Sequence, residues 1–193
     1  AARVDADLAV ALWRQCAPDS AECVRAQLVL GQVMTLEAHY IDAAKLLESA
    51  LLVAERMAYS ELICEIHGHL VLICSDCVGL YEVALLHATV AVEVAESAHL
   101  PLATVRALIR LAGAVARSDP GERAERLGLL ALSLARDQHF DGEVWRALTT
   151  LSMVTNCSSD VHEDNPELAR VTLERSLEYA RRAYRAALQV DVP

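Results

Sequence analysis

Apolar residues along this chain recur mostly at the spacing of one face of an α-helix. Leu108, Leu111, Ala112 and Val115, for example, lie three or four residues apart along the chain. This period brings side chains to one side of a helix. A further helix is predicted at about 4–16. The amphipathic stretches that show the period lie at about 21–37, 60–77, 103–117 and 143–157.

Three other segments align with one another without gaps, and each follows one of the first three stretches. They begin at Tyr40, Tyr81 and Gly121. Ala43, Ala84 and Ala124 fall at one equivalent position, so the repeat is 41 and then 40 residues long. A period of this size indicates stacked helix pairs, in which each pair buries its apolar face against the next.

A long final helix is predicted from about Pro166 to Leu188. Proline suits the first turn of a helix, and Asp164 or Asn165 can serve as its cap. The sequence therefore predicts an all-α fold of about four helix pairs, with an additional N-terminal helix and a long C-terminal helix. The whole chain, 1–193, is predicted to be one domain, with repeats at approximately 21–58, 60–98, 103–137 and 143–188.

Composition supports closely packed helices and excludes several classes of function. The chain is 54% hydrophobic but only 4% aromatic, and its abundant Ala and Leu are strong helix formers. Its formal net charge of −10 disfavours binding to nucleic acid. Charged residues interrupt every apolar run before the ~20 residues that cross a bilayer, and no secretory signal is visible. We expect a cytoplasmic protein whose domain binds neither nucleic acid nor membrane.

Small and large residues follow one another within the helix pairs in a pattern that resembles the tetratricopeptide repeat (TPR). That family has a Leu-Gly pair in helix A, a large residue nine positions after the glycine, and then Ala, a bulky residue and another Ala in helix B. The first pair matches at every position, with Leu30, Gly31, Tyr40, Ala43, Leu47 and Ala50. The second has Val71, Leu72, Tyr81, Ala84, Ala88 and Ala91, the third Leu111, Ala112, Gly121, Ala124, Gly128 and Ala131, and the looser fourth Leu151, Ser152, Ala169, Leu173 and Ser176.

The repeats also depart from that family. Their period exceeds the standard 34 residues, and the consensus Trp and the Pro that ends helix B are missing. The resemblance is therefore to extended, degenerate TPR-like repeats, similar to the helical arms of large bacterial transcriptional regulators. It implies a right-handed α-solenoid whose concave face binds a protein or peptide.

A cluster of Cys and His residues is the main candidate for chemistry. Cys64, His67, His69, Cys74 and Cys77 are of types that bind zinc. All five are predicted on one helix, which cannot wrap its own side chains around a tetrahedral ion. We therefore expect core packing, small buried thiols, no metal and no other cofactor. Because the chain has no nucleophile–base motif, phosphate loop or dinucleotide fingerprint, we expect no enzyme activity.

The resemblance also implies which residues line the concave groove, because helix A side chains do so in that family. Arg25, Arg106 and Arg146 then share one repeat position, and Arg110 lies one turn after Arg106. Arginine binds carboxylates with two parallel hydrogen bonds. The full implied groove set is Arg25, Gln32, His69, Asp76, Arg106, Arg110, Arg146, Thr149 and Asn156.

These residues predict a protein- or peptide-binding scaffold or sensor module within a larger regulatory protein. Its ligand is expected to be an acidic segment or a C-terminal carboxylate. Replacing Arg106 and Arg146 with Ala should weaken binding roughly tenfold and leave the melting temperature nearly unchanged. The alternatives for the domain are a small-molecule-sensing module or an oligomerisation arm. The alternative for the arginines is that they are ordinary solvated residues or pair with Glu on the next helix. Leu177, Tyr184 and Leu188 of the final helix would favour self-association to a homo-oligomer if they lie on its outer side.

Overall fold

The computed structural model describes residues 2–119, 121–160 and 165–189, with the side chains of 159 and 160 left aside. Apart from short connections these residues are helical, and no strand occurs among them. The predicted all-α class is therefore confirmed. The helices are α1 (Ala2–Cys16), α2 (Ala21–Leu36), α3 (Tyr40–Arg56), α4 (Ser60–Leu72), α5 (Tyr81–Ser97), α6 (Pro101–Ser118), α7 (Glu122–Asp137), α8 (Asp141–Asp160) and α9 (Pro166–Ala187).

Helix boundaries follow local capping chemistry. The Ser20 side chain accepts a hydrogen bond from the backbone N–H of Cys23 at 3.2 Å and caps α2. Asn165 caps α9 in the same way by accepting from Leu168 N–H at 3.2 Å, as predicted for one of the two candidates. The other candidate, Asp164, lies outside the described residues. Each side-chain oxygen satisfies a backbone donor that the first helical turn leaves unpaired.

Among the described residues, four connections use left-handed backbone at a residue other than glycine. Ala38, Ala58, His99 and His139 have φ between 53° and 63°. Each lies just after a helix, where a left-handed residue reverses the chain and satisfies the last carbonyls. Helix α4 ends differently, because it runs on into a π-helical segment, Ile73–Val78.

The chain divides into two compact units, Ala1–His99 and Leu100–Pro193. We call them unit 1, which contains α1–α5, and unit 2, which contains α6–α9. The core of unit 1 includes the fully buried side chains of Val24, Leu47, Ile66, Leu70 and Ile73. That of unit 2 includes Leu132, Ala147, Leu148, Leu151 and Ala183.

Within each unit, one helix contacts both the helix before it and the helix before that. Helix α4 packs on α3 and also touches α2, and α8 packs on α7 and also touches α6. The first helices of successive pairs thus lie side by side, as they do in stacked helix pairs.

Close helix packing depends on two glycines. A Cβ atom at Gly31 would lie 2.8 Å from Leu47 Cδ2, and one at Gly128 would lie 2.7 Å from Leu151 Cδ2. Both leucines are fully buried. The absent Cβ therefore creates the notch that a large side chain of the neighbouring helix fills.

The second helix of the fourth pair sits in a different register from the predicted one. The expected core positions included Leu173, but its side chain is 47% exposed. Thr172, Ser176 and Ala183 are buried instead. Their spacing matches that of the buried Ala43, Leu47 and Ala54 in α3, so three extra residues precede the repeat pattern in α9.

Candidate functional site

Two of the predicted groove arginines converge on one buried carboxylate in unit 2. Arg106 of α6 donates from Nε to Glu143 Oε1 at 2.8 Å. Arg146 lies on α8 one turn after Glu143, and its Nη1 atom is 3.7 Å from Glu143 Oε2. The Glu143 side chain is only 5% exposed, whereas those of Arg106 and Arg146 are 47% and 51% exposed. The cluster therefore holds one buried negative charge between two guanidinium groups that still face solvent.

The contacts with Glu143 hold both arginines in place and leave fewer of their N–H groups for a ligand. A buried carboxylate is stable only with compensating charge or hydrogen bonds, and Oε2 of Glu143 has no hydrogen-bond partner among the described residues. Arg106 therefore pairs with a glutamate, as one alternative expected, but with one on α8 and not on the next helix, α7. Removing both arginines would leave Glu143 uncompensated, so the melting temperature should fall rather than stay unchanged.

The other predicted groove residues of unit 2 lie near this cluster or along the same helix. Arg110 is half-buried on α6. Thr149 and Asn156 are exposed on α8, and the Thr149 hydroxyl donates to the backbone carbonyl of Trp145 at 2.9 Å. Both α8 residues line an open cleft between α8 and α9.

That cleft has a volume of about 560 Å³ and mixed walls. Trp145 and Met153 line it from α8, and Tyr184 lines it from α9. The Arg146 guanidinium lies over the Trp145 ring at 5.5 Å from the ring centre, within the range of a cation–π contact. The Arg146 guanidinium therefore lies close to both the Glu143 carboxylate and the Trp145 ring, which lines the cleft.

The predicted groove residues of unit 1 form a contact of their own. Gln32 Nε2 of α2 lies 2.8 Å from His69 Nε2 of α4. Arg25 and Asp76 are exposed, and the Asp76 carboxylate accepts a hydrogen bond from the Ser75 hydroxyl at 2.7 Å. In both units, then, side chains of two first helices meet, through Gln32 and His69 in unit 1 and through Arg106 and Glu143 in unit 2.

The Cys and His cluster is split between several environments. His67 does not face His69 but contacts His87 of α5, with 3.0 Å between the two Nδ1 atoms. Cys64 points at the backbone carbonyl of Ala91, with its sulfur 3.6 Å from that oxygen. Among the residues that the structure describes, no three His, Cys, Asp or Glu side chains are placed to hold a metal ion.

Burial changes the proton affinity of these side chains. It lowers the pKa of His67 to about 4, with a further lowering from His87, and it lowers the pKa of His87 against an opposing effect of Glu48. It also raises the pKa of the Cys64 thiol to about 11. A thiol with so high a pKa is almost entirely protonated at neutral pH and is a poor nucleophile.

Thiol burial is uneven along the chain. Cys23, Cys64 and Cys74 are buried as expected, but Cys16 is exposed and all six cysteines are free.

None of the described helices combines the length and the apolar character needed to cross a membrane.

Several residues of this surface were not predicted as groove residues, although Tyr184 was singled out for self-association. Glu143, Trp145 and Tyr184 contribute a charge partner and two aromatic walls, yet they fall outside the groove set that the resemblance implied. Helical spacing could have placed Trp145 beside Thr149, four residues along α8. The partnership of Glu143 with Arg106 is set by how α8 packs on α6, which no local pattern reports.

Comparison with known proteins gives a likeness in fold only. A scan against protein-family models finds no match, and a search of curated proteins finds no relative. Among solved structures the chain is similar to BtubC (BKLC) from P. vanneervenii, with a TM-score of 0.60 and 17% sequence identity. The match covers 100% of this chain and 92% of that chain.

Proposed function

We propose that this chain is a TPR-like α-solenoid that binds a protein or peptide segment, as a scaffold or sensor module of a cytoplasmic regulatory protein. Its role is binding rather than catalysis. Support comes from the side-by-side packing of α2 with α4 and of α6 with α8. In a solenoid, such packing would bring side chains of successive first helices onto one face.

The cluster of Arg106, Glu143 and Arg146 carries the proposal. Both arginines are about half exposed, and Arg146 lies over Trp145, which lines the α8/α9 cleft. Arg and Trp are the residue types that contribute most to binding at protein interfaces. An acidic side chain or a C-terminal carboxylate of a peptide would take the guanidinium N–H groups that Glu143 leaves open, each charge-assisted contact contributing about 1.5–3 kcal/mol.

The proposal is tested by selecting short random peptides with free C-termini from a display library against the purified chain. Binding of the enriched peptides is then measured by fluorescence anisotropy. Glu143→Gln should tighten binding, because it removes the carboxylate that competes for both arginines. Combining Arg106→Gln and Arg146→Gln with Glu143→Gln should weaken it roughly tenfold or more.

Removing the arginines alone would destabilise the protein, because Glu143 would remain buried without a compensating charge. Both variants in this comparison lack the Glu143 carboxylate, so this loss of stability does not arise. Arg126→Gln on the exposed side of α7 (72% exposed) is the matched control and should bind as the parent does. Binding should also weaken with salt, because exposed charges are screened over ~10 Å at 0.1 M. Equal affinity of the two Glu143→Gln variants would exclude this surface as the binding site.

Two alternatives differ in their support. A small-molecule sensor would bury most of its ligand, but the α8/α9 cleft is open to solvent. A further cleft of unit 2, which Arg136 and Arg182 line, is open as well. An oligomerisation role has a specific observation in its favour, because Leu177, Tyr184 and Leu188 are 50%, 68% and 69% exposed.

A further inference from the structure

Helix α9 and the residue that follows it present an apolar ridge to solvent. Leu173, Leu177, Tyr184 and Leu188 are each between 47% and 69% exposed, and Ala180 lies between them. Their spacing of four, seven and four residues places them on one narrow stripe of a helix. Such a stripe is typical of a helix that pairs with another helix.

The surface beside this ridge can accommodate a second helix packed against it. Small side chains of α8 and α9 line the adjoining cleft, namely Ser152, Ser176, Ala180, Ala183 and Ala187. Small residues let helix axes approach closely. Unit 2 already uses this device internally, where Leu151 of α8 fills the notch at Gly128 of α7.

The ridge has a symmetry that identifies what could cover it. Leu173 and Leu188 are equally far from the point between Ala180 and Arg181, and so are Leu177 and Tyr184. An antiparallel second copy of α9, centred on that point, would set each Leu177 against a Tyr184 and each Leu173 against a Leu188. The small Ala180 would lie at the crossing. A two-fold interface requires this self-complementarity, in which each contact occurs twice.

Charges next to the ridge agree with the same register. Glu178, Arg181 and Arg185 lie together on the side of α9 away from its buried residues. A two-fold axis at the centre of the ridge brings this side of each helix next to the same side of the other. Glu178 of one copy would then lie close to Arg181 and Arg185 of the second. Such pairs favour one register over others more than they add affinity.

We propose that α9 pairs with α9 of a second copy in an antiparallel, two-fold arrangement, with Leu177 of each molecule facing Tyr184 of the other. The four large ridge side chains expose on the order of 500 Å² per copy, so the pair would bury roughly 1,000 Å². That is the lower end of specific interfaces, and the dimer should therefore depend on concentration. The pairing does not rest on the proposed function, but Tyr184 also lines the α8/α9 cleft, so the dimer would compete with a peptide that extends from the arginine cluster into that cleft.

Sedimentation velocity over a range of protein concentrations tests the pairing. The parent chain should shift from monomer to dimer as its concentration rises. Leu177→Glu and Tyr184→Lys should each remain monomeric, because each places a charge against an apolar partner twice per dimer. Mixing the two variants should restore a dimer, since one half then pairs the introduced carboxylate with the introduced ammonium and the other half keeps its original Leu–Tyr contact.

The mixing experiment is specific for the antiparallel register, because a parallel pair would bring position 177 against itself. Leu36→Glu, an 88% exposed leucine at the end of α2, is the matched control and should dimerise as the parent does. Circular dichroism checks that all variants fold. A parent chain that stays monomeric, a dimer unaffected by either variant, or a mixture that stays monomeric would each overturn the proposal. The second outcome would direct attention to the exposed Val4, Leu8 and Leu12 of α1.

Discussion

At the scale of single residues, the His67–His87 pair couples stability to pH. The two Nδ1 atoms lie 3.0 Å apart, so one ring donates and the other accepts, which requires that at least one imidazole is neutral. His67 is only 4% exposed, and among the described residues its Nε2 has no hydrogen-bond partner. Adding a proton to His67 would place an unsolvated charge beside a second imidazole.

This pair predicts a loss of stability on acidification. The folded-state pKa of His67, about 4, lies below the unfolded value of 6.5, so the unfolded chain binds the proton first. The contribution is complete above pH 6.5 and is lost as the pH falls from 6.5 towards 4. Urea unfolding should therefore show that the parent loses about 2–3 kcal/mol more than His67→Leu between pH 7.5 and pH 4.5.

Comparison with the variant is needed because carboxylates also titrate in the same range. His39→Gln, at an exposed histidine, is the control for removing an imidazole and should keep the parental pH dependence. If His67→Leu lost as much stability as the parent on acidification, protonation of His67 would not be responsible.

The sequence predicted the two arginines of the cluster but not the glutamate that they share. Arg106 and Arg146 were recognised as functional candidates because the repeat put them at equivalent positions. Their shared partner Glu143 was not, since a glutamate in the first turn of a helix is typical of a solvated position. Its burial results from the contact of α8 with α6, and only the packed structure contains that information.

At the scale of elements, two helical glycines should respond in opposite ways to the same substitution. A Cβ at Gly31 would lie 2.8 Å from Leu47 Cδ2 and 2.9 Å from its Cγ, whereas a Cβ at Gly68 would meet nothing within 4 Å. Gly31→Ala should destabilise by about 1–3 kcal/mol through overpacking, less a gain in helix propensity. Gly68→Ala should stabilise by about 0.5–1 kcal/mol.

Chemical denaturation of both variants measures the contrast. Adding Leu47→Val to Gly31→Ala should recover part of the loss, because the shorter side chain makes room for the new methyl group. A Gly31→Ala variant as stable as the parent would show that α2 and α3 can separate at little cost.

Helix boundaries were predictable to within a few residues because they depend on local signals. The predicted stretch at about 21–37 became Ala21–Leu36, and the final helix became Pro166–Ala187. The register of α9 was not predictable from the sequence, because its first apolar residues match the repeat pattern three residues before the position where the repeat begins in the structure. The π-helical turn at Ile73–Val78 was also missed, because its residues carry the same apolar period as an α-helix.

At the scale of the whole molecule, each unit has a core of its own, and this predicts that damage to one core stays local. Leu47 in unit 1 and Leu151 in unit 2 are both fully buried, so Leu47→Ala and Leu151→Ala should each cost about 2–5 kcal/mol. In stacked helix pairs each element depends on its neighbours. Amide hydrogen exchange should therefore accelerate most in the helices that surround the substituted leucine.

Leu47→Ala should speed exchange in α2, α3 and α4 while leaving α8 and α9 close to the parental rates, and Leu151→Ala should do the reverse. The two leucines are matched in residue type and burial, so each variant is the control for the other. The distinction matters because the sequence alone predicts one domain over 1–193. If either substitution accelerated exchange equally in all nine described helices, the chain would unfold as one cooperative domain. If the effects stay separate, the arginine cluster of unit 2 can be altered without disturbing the Gln32–His69 contact of unit 1, and binding to each unit can be measured independently.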